Sequence, residues 1–121
     1  MSIRLFHYES CSTCKKARKW LDSHNLGYTL IPIVEQTPGA ADLERFIRLS
    51  QIAPHKWFNT SGLSYRALVA ERGKDYVAKL IPRDIATLLA ADGKLIKRPL
   101  LITDKVVLVG FSEPAYENLL K

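Results

Sequence analysis

The sequence lacks any apolar run approaching the ~20 residues needed to cross a bilayer, which argues against a membrane protein. Its first residues, Met1 to Arg4, show no basic segment followed by an apolar one, so no secretory signal is expected. Only two cysteines occur, and without an export signal they indicate a reducing cytoplasm, where a disulfide is transient. These shortages predict a cytoplasmic protein of one domain, 1–121, large enough to bury a core without disulfides.

Histidine is also scarce, and this limits the metal chemistry that the chain can perform. A zinc site would need a second pair of ligands, but His7, His24 and His55 are scattered and form no suitably spaced pair. The net charge is +6, yet no basic run is interleaved with aromatic residues, as single-strand binding requires. We therefore expect no metal, no bound cofactor and no direct nucleic-acid contact, whereas the charge suits anionic small molecules or acidic partners.

The most informative feature that is present is a C-x-x-C motif, formed by Cys11 and Cys14, between a predicted strand and a predicted amphipathic helix. A helix N terminus presents unpaired N–H groups and about half a positive charge. A thiol there loses its proton more easily, and the thiolate is the nucleophile. Cys14, one turn further on, can attack an adduct on Cys11. The motif predicts thiol redox chemistry, with Ser12 and Thr13 between the cysteines as supporting residues.

Other interpretations of the two cysteines stay open. A structural disulfide over so short a loop would contribute only about 2 kcal/mol by the chain-entropy formula, which makes it a weak constraint. Two inert, buried thiols are a further alternative, because free cysteine is often found in protein cores.

Hydrophobic periodicity predicts the order β-α-β, then a helical middle, then β-β-α. This is the order of a thioredoxin-like α/β fold with a helical insertion at about 37–92. The C-x-x-C motif lies at the C-terminal end of the first strand, where open α/β sheets place their ligands. The predicted strands are 3–8, 28–33, 100–102 and 106–109, and the predicted helices are 12–24, one starting at 37, 63–71, 82–91 and 112–120, with a short helical turn at 55–58.

Glycine, proline and threonine predict where several of these elements begin and end. Gly27 is expected to cap the first helix in a left-handed conformation, and Gly93 to stop the helix before it. Thr37 is the predicted N-cap of the second helix, with Pro38 at its first position. Pro32 predicts either an edge position for the second strand or the end of that strand.

Five stretches of the chain carry a resemblance that covers its whole length. They are 7–17, 20–21, 58–62 with 65–66, 95–100 and 109–113. Together they resemble the ArsC/Spx superfamily, including its Spx/MgsR branch, and are most similar to its small arsenate-reductase-like proteins. The resemblance implies the thioredoxin-like fold with a helical insertion.

The resemblance also assigns site residues. Cys11 matches the reactive thiol, Arg98 the arginine that binds an oxyanion, and Pro99 a proline that is usually cis and faces the thiol. Arg98 offers a planar fork of donors suited to an oxyanion or a glutathione carboxylate, although a surface arginine at a strand start is the alternative. His7 lies where arsenate reductases often carry a histidine and could tune the thiol; packing near the core is an equal alternative.

Three positions depart from the pattern of arsenate reductases. Cys14 replaces a serine, and Asn59 and Gly110 align with two further arginines that hold arsenate. With Arg98 alone remaining, efficient arsenate reduction is not expected, because a tetrahedral dianion needs several aligned charges.

The function that these features favour is a thiol-dependent reductase or glutaredoxin-like oxidoreductase that uses Cys11 and Cys14 and acts on a small-molecule or protein thiol or disulfide. Its reductant would be glutathione, glutaredoxin or thioredoxin. The alternative is a redox-sensing regulator of the Spx type, which binds the C-terminal domain of the RNA polymerase α subunit without turnover. Genuine arsenate reduction is the third hypothesis.

Overall fold

The computed structural model describes residues 2–121 and, within them, a four-stranded mixed sheet with six α-helices. The strands are β1 (Arg4–His7), β2 (Thr29–Pro32), β3 (Leu100–Ile102) and β4 (Val107–Val109). The helices are α1 (Ser12–Ser23), α2 (Ala40–Ser50), α3 (Leu63–Arg72), α4 (Lys74–Ala78), α5 (Pro82–Ala91) and α6 (Glu113–Glu117). Short 3₁₀ turns occupy Pro54–Trp57, Gly93–Leu95 and Asn118–Leu120.

The sheet has the strand order β2-β1-β3-β4. β1 pairs in parallel with β2 and antiparallel with β3, and β3 pairs antiparallel with β4. The predicted α/β class is confirmed, with its β-α-β half, helical insertion and β-β-α half. β2 is an edge strand, one of the two positions that Pro32 predicted, because proline cannot donate to a second neighbour.

The two faces of the sheet bury separate parts of the core. Leu5 and its partner Leu101 lie on the face covered by α1 and α6. Phe6 and Leu100 lie on the opposite face, which the helical insertion covers, chiefly through α2 and α5. Successive strand residues point to opposite faces, so central strands with both faces covered are apolar throughout. This explains why adjacent residues of β1, Leu5 and Phe6, are both apolar, as are all three residues of β3.

The end of α1 differs from its prediction. The helix stops at Ser23, and the left-handed residue that follows is Asn25, with φ 56, rather than Gly27. Asparagine tolerates this conformation because its short polar side chain can hydrogen-bond locally. The left-handed residue therefore lies two positions before Gly27, where it was predicted. The N–H of Leu26 donates to the carbonyl of Leu21 at 3.0 Å in this turn.

The start of α2 was also wrongly predicted. The helix begins at Ala40 with Gly39 as its N-cap, not at Thr37 and Pro38. The Thr37 hydroxyl instead donates to the carbonyl of Ile33 at 2.7 Å, within the preceding turn. A threonine hydroxyl can bond either to a following helix or to the carbonyls before it, and here the earlier carbonyl is the partner. The short helix α4 has no counterpart in the prediction, whereas α5 has its predicted bounds.

Among residues 2–121, no helix combines the length and the apolar content that crossing a membrane requires.

Candidate active site

Cys11 lies at the junction between β1 and α1 and is the N-cap of the helix. Its sulfur accepts a hydrogen bond from the backbone N–H of Cys14 at 3.2 Å, in the role that a serine or aspartate oxygen usually fills at this position. Its own N–H donates to the carbonyl of Tyr8 at 3.0 Å, which closes the turn out of the strand. The side chain is partly exposed. The sulfur therefore sits where the free N–H groups of the helix point.

Cys14 occupies the buried face of α1, and its side chain is 1 % exposed. Burial raises the pKa of the Cys14 thiol to about 12, and a hydrogen bond with the Cys11 side chain adds to the shift. A backbone hydrogen bond with Tyr8 and the charge of Arg98 act on this pKa in the opposite direction. Both cysteines are free thiols in this structure. The two sulfurs are neighbours, but only Cys11 can be reached from solvent.

Cys11 opens onto a cleft of about 850 Å³ between the start of α1, β4 and the loops of the helical insertion. Ser12 and Thr13 line this cleft beside Cys11, as does Asn59 from the helical insertion. The charged residues of the lining are two cations, Lys97 and Arg98, and no carboxylate joins them there. The cleft combines an accessible thiol, hydroxyl groups and uncompensated positive charge.

Arg98 is held in the cleft by its two neighbours. Its guanidinium carbon lies 4.4 Å from the centroid of the Tyr8 ring, a cation–π contact. Its Nη1 donates to the carbonyl of Lys94 at 3.4 Å, and the same carbonyl accepts from Nδ2 of Asn59 at 3.5 Å. None of the ion pairs found within residues 2–121 involves Arg98. The remaining donors of its fork can therefore bind an anion.

Pro99 follows a cis peptide bond with Arg98. Its side chain is fully buried and is not part of the cleft lining. Its carbonyl accepts from the N–H of Gly110 at 2.9 Å, which ties the start of β3 to the residue after β4. Pro99 thus fixes the backbone that presents Arg98.

His7 is a predicted site residue that lies outside the cleft lining. It lines a separate small depression with Glu9 and Glu35. Burial lowers the pKa of His7 and the charge of Arg18 lowers it further, while Glu9 and Glu35 raise it. His7 is partly exposed there, and its role in tuning the thiol stays a prediction. No group of three or more histidine, cysteine or carboxylate side chains within residues 2–121 could hold a metal ion.

Two residues of the cleft escaped the sequence-based prediction, Tyr8 and Lys97. Tyr8 was recognised only as part of a motif, and its contact with Arg98 depends on the pairing of β1 with β3. The only signal for Lys97 in the sequence was its position next to Arg98. Asn59 and Gly110, for which the resemblance predicted a match to arginines of arsenate reductases, both lie in the cleft.

Comparisons with known proteins extend over nearly the whole chain. The model of the ArsC family matches residues 6–119. The uncharacterized protein YusI of Bacillus subtilis is 39% identical over 118 residues, 98% of each chain. The crystal structure of an ArsC family related protein from Bacteroides fragilis shows 39% identity and a TM-score of 0.90, covering 98% of both chains. The global transcriptional regulator Spx of Staphylococcus epidermidis is 23% identical over 98% of this chain and 86% of its own.

Proposed function

The chain belongs to the ArsC family, and on that premise we propose that it is a thiol-dependent oxidoreductase acting on disulfides. The observation that carries the proposal is the pair of cysteines: an accessible sulfur at the start of α1 and a buried partner hydrogen-bonded to it. Cys11 is the nucleophile and Cys14 the resolving thiol. Arg98 binds an anionic group of the substrate, with Ser12 and Thr13 beside it in the cleft.

The reaction proceeds by two thiol–disulfide exchanges. The Cys11 thiolate attacks one sulfur of a disulfide R–S–S–R′, so that a Cys11–S–S–R bond forms as the S–S bond breaks and R′S⁻ leaves. Cys14 then gives up its proton and attacks the Cys11 sulfur, which forms the Cys11–Cys14 disulfide and releases RS⁻. The substrate gains two electrons and two protons, and the protein loses them. A thiol reductant of the cytoplasm, either glutathione or a thioredoxin or glutaredoxin, restores the two thiols.

The environment of Cys14 suits the second exchange rather than the first. Its raised pKa keeps it a thiol while Cys11 reacts, so the two sulfurs do not compete for substrate. Once Cys11 is part of a mixed disulfide, the thiolate R′S⁻ released in the first exchange can accept the proton of Cys14. Burial then confines Cys14 to a single nearby target, the Cys11 sulfur.

A trapping experiment tests the order of these steps. Reduced Cys14→Ser protein mixed with glutathione disulfide is expected to gain one glutathione per chain, because nothing resolves the adduct on Cys11. Intact-mass spectrometry measures this. The wild-type protein should lose two hydrogens and carry no stable adduct.

The matched control is Cys11→Ser, which should remain unmodified over the same period. If Cys11→Ser forms the adduct and Cys14→Ser does not, the roles of the two sulfurs are reversed. If wild-type protein and both variants stay unmodified, the proposed activity is wrong.

Similarity to Spx favours a second candidate function, a redox-dependent regulator that binds RNA polymerase. The C-x-x-C pair would then act as a switch without turnover. Pull-down of the protein with the C-terminal domain of the α subunit, in reduced and oxidised states, separates the two. Retention in one state only would favour the regulator, and retention in neither would eliminate it.

Arsenate turnover is expected to stay at background. Of the three positions that align with arsenate-binding arginines, only Arg98 carries an arginine, while Asn59 is neutral and Gly110 has no side chain. A steady-state assay with arsenate, glutathione and glutaredoxin measures the rate. Asn59→Arg places a second guanidinium in the cleft and should raise the rate several-fold, because charge-assisted contacts dominate oxyanion binding.

Asn59→Gln is the matched control, since it lengthens the side chain without adding charge. Gly110→Arg is not a suitable companion, because Gly110 has φ +77, a conformation that other residues rarely adopt. Equal rates for the arginine and glutamine variants would show that Asn59 does not face the anion.

A further inference from the structure

We propose that Lys97 is a specificity-determining residue of the cleft, which selects disulfides that carry a carboxylate near the reacting sulfur. This inference rests on the proposed function, because it names the substrate class of the same Cys11 site. Two observations support it. The Lys97 side chain lies against Gly110. Lys97 and Arg98 line the same cleft, and no carboxylate is part of that lining.

The backbone of Lys97 is firmly anchored. Its N–H donates to the carbonyl of Trp57 at 2.8 Å, and Trp57 is fully buried. The preceding residue, Ile96, forms an isolated antiparallel bridge with Phe58, and both are buried. The lysine therefore projects from a fixed point in the cleft wall, although its side chain is solvent-exposed.

The Lys97 side chain passes close to the backbone of Gly110. A Cβ atom at Gly110 would lie 3.3 Å from Cε of Lys97 and 3.9 Å from its Nζ. The positive φ of Gly110 and its hydrogen bond to Pro99 hold the backbone in this position. The absence of a side chain at Gly110 thus lets the Lys97 ammonium lie over the turn that ends β4, on the cleft wall.

Lys97, like Arg98, has no ion-pair partner in the part of the chain that the structure describes. Both cations line the same cleft, so an anion held there is attracted by the two charges. A carboxylate fits both partners, because the guanidinium supplies a planar fork and the ammonium a mobile point charge.

The consequence for the reaction lies in substrate capture. A disulfide with a carboxylate close to its sulfur can place that group on the two cations while Cys11 attacks. The exchange itself is unchanged: one S–S bond forms, one breaks and a thiolate leaves. Neutral disulfides cannot form this contact, and Lys97 and Arg98 repel cationic disulfides.

The test compares the rate at which Cys11 reacts with three small disulfides of similar size. These are the anionic 3,3′-dithiodipropionate, the neutral bis(2-hydroxyethyl) disulfide and the cationic cystamine. In Lys97→Gln, the ratio of the anionic to the neutral rate is expected to fall about fivefold, the size typical of one partly exposed charge pair. The rate with the neutral disulfide is the reference for this ratio, and circular dichroism checks that the variant is folded.

Lys105→Gln is the matched control, because Lys105 is an exposed lysine of the turn between β3 and β4 and lies outside the cleft lining. It should leave the ratio unchanged, and Lys97→Arg should restore it. An equal loss of rate for all three disulfides in Lys97→Gln, or an unchanged ratio, would overturn the assignment while leaving the proposed function standing. Wild-type protein that reacts with none of the three would overturn both.

Discussion

At pH 8, iodoacetamide is expected to label Cys11 at least about a hundredfold faster than Cys14, because only thiolates react and only exposed sulfurs are reached. Cys14 is 1 % exposed and burial raises its pKa to about 12, so very little of it is thiolate at that pH. Peptide mapping by mass spectrometry after short labelling pulses measures both rates in one sample.

The control is the same protein in denaturant, where both cysteines should label at similar rates. In folded Cys11→Ser, labelling of Cys14 should rise about tenfold per pH unit above pH 8, because each unit multiplies the thiolate fraction by ten. Comparable labelling of Cys11 and Cys14 in the folded protein would show that Cys14 is not the buried partner described here.

The raised pKa of Cys14 also makes the free energy of unfolding depend on pH in alkaline solution. The folded pKa of Cys14 lies above its ordinary value of 9.0, so the unfolded chain releases this proton first as the pH rises. The stability contributed by the neutral thiol is complete below pH 9 and is lost progressively towards pH 12, with a slope of at most about 1.4 kcal/mol per pH unit.

Gly93→Ala is expected to lower the free energy of unfolding by several kcal/mol, about 3 or more, which is the range of severe steric conflicts in a core. A Cβ atom at Gly93 would overlap the carbonyl oxygen of Ile33 and lie 2.7 Å from Oγ1 of Thr37. These two atoms are hydrogen-bonded to each other, so neither can move aside without breaking that bond. Urea unfolding followed by circular dichroism measures the loss.

Gly27→Ala is the matched control for this substitution. No atom lies within 4 Å of a Cβ built at Gly27, and its φ is not positive. The variant should be as stable as the wild type or gain up to about 1 kcal/mol, since alanine restricts the unfolded chain. If Gly93→Ala unfolds at the same urea concentration as Gly27→Ala, the close approach at Gly93 is not present in solution.

The difference between Gly93 and Gly27 shows where sequence-based prediction reached its limit in the fold. Both were interpreted as local stop signals, because glycine near a helix end usually marks one. In the structure, Gly93 is required by the approach of a segment some sixty positions earlier in the chain, the turn at Ile33. The start of α2 was mispredicted at the same contact, since the Thr37 hydroxyl bonds backwards to Ile33.

The sequence by itself determined the order of the strands and of every helix except α4, and it determined the position of the cysteine pair. Both depend on interactions within a few residues: hydrophobic periodicity, and a thiol placed where a helix begins. Only the tertiary structure decided what surrounds that pair. Lys97 and Tyr8 line the cleft, and His7 lies outside its lining, through strand pairing and loop packing between distant segments. Charge and close contact act through space, so neighbours in the sequence cannot reveal which side chains share a cleft.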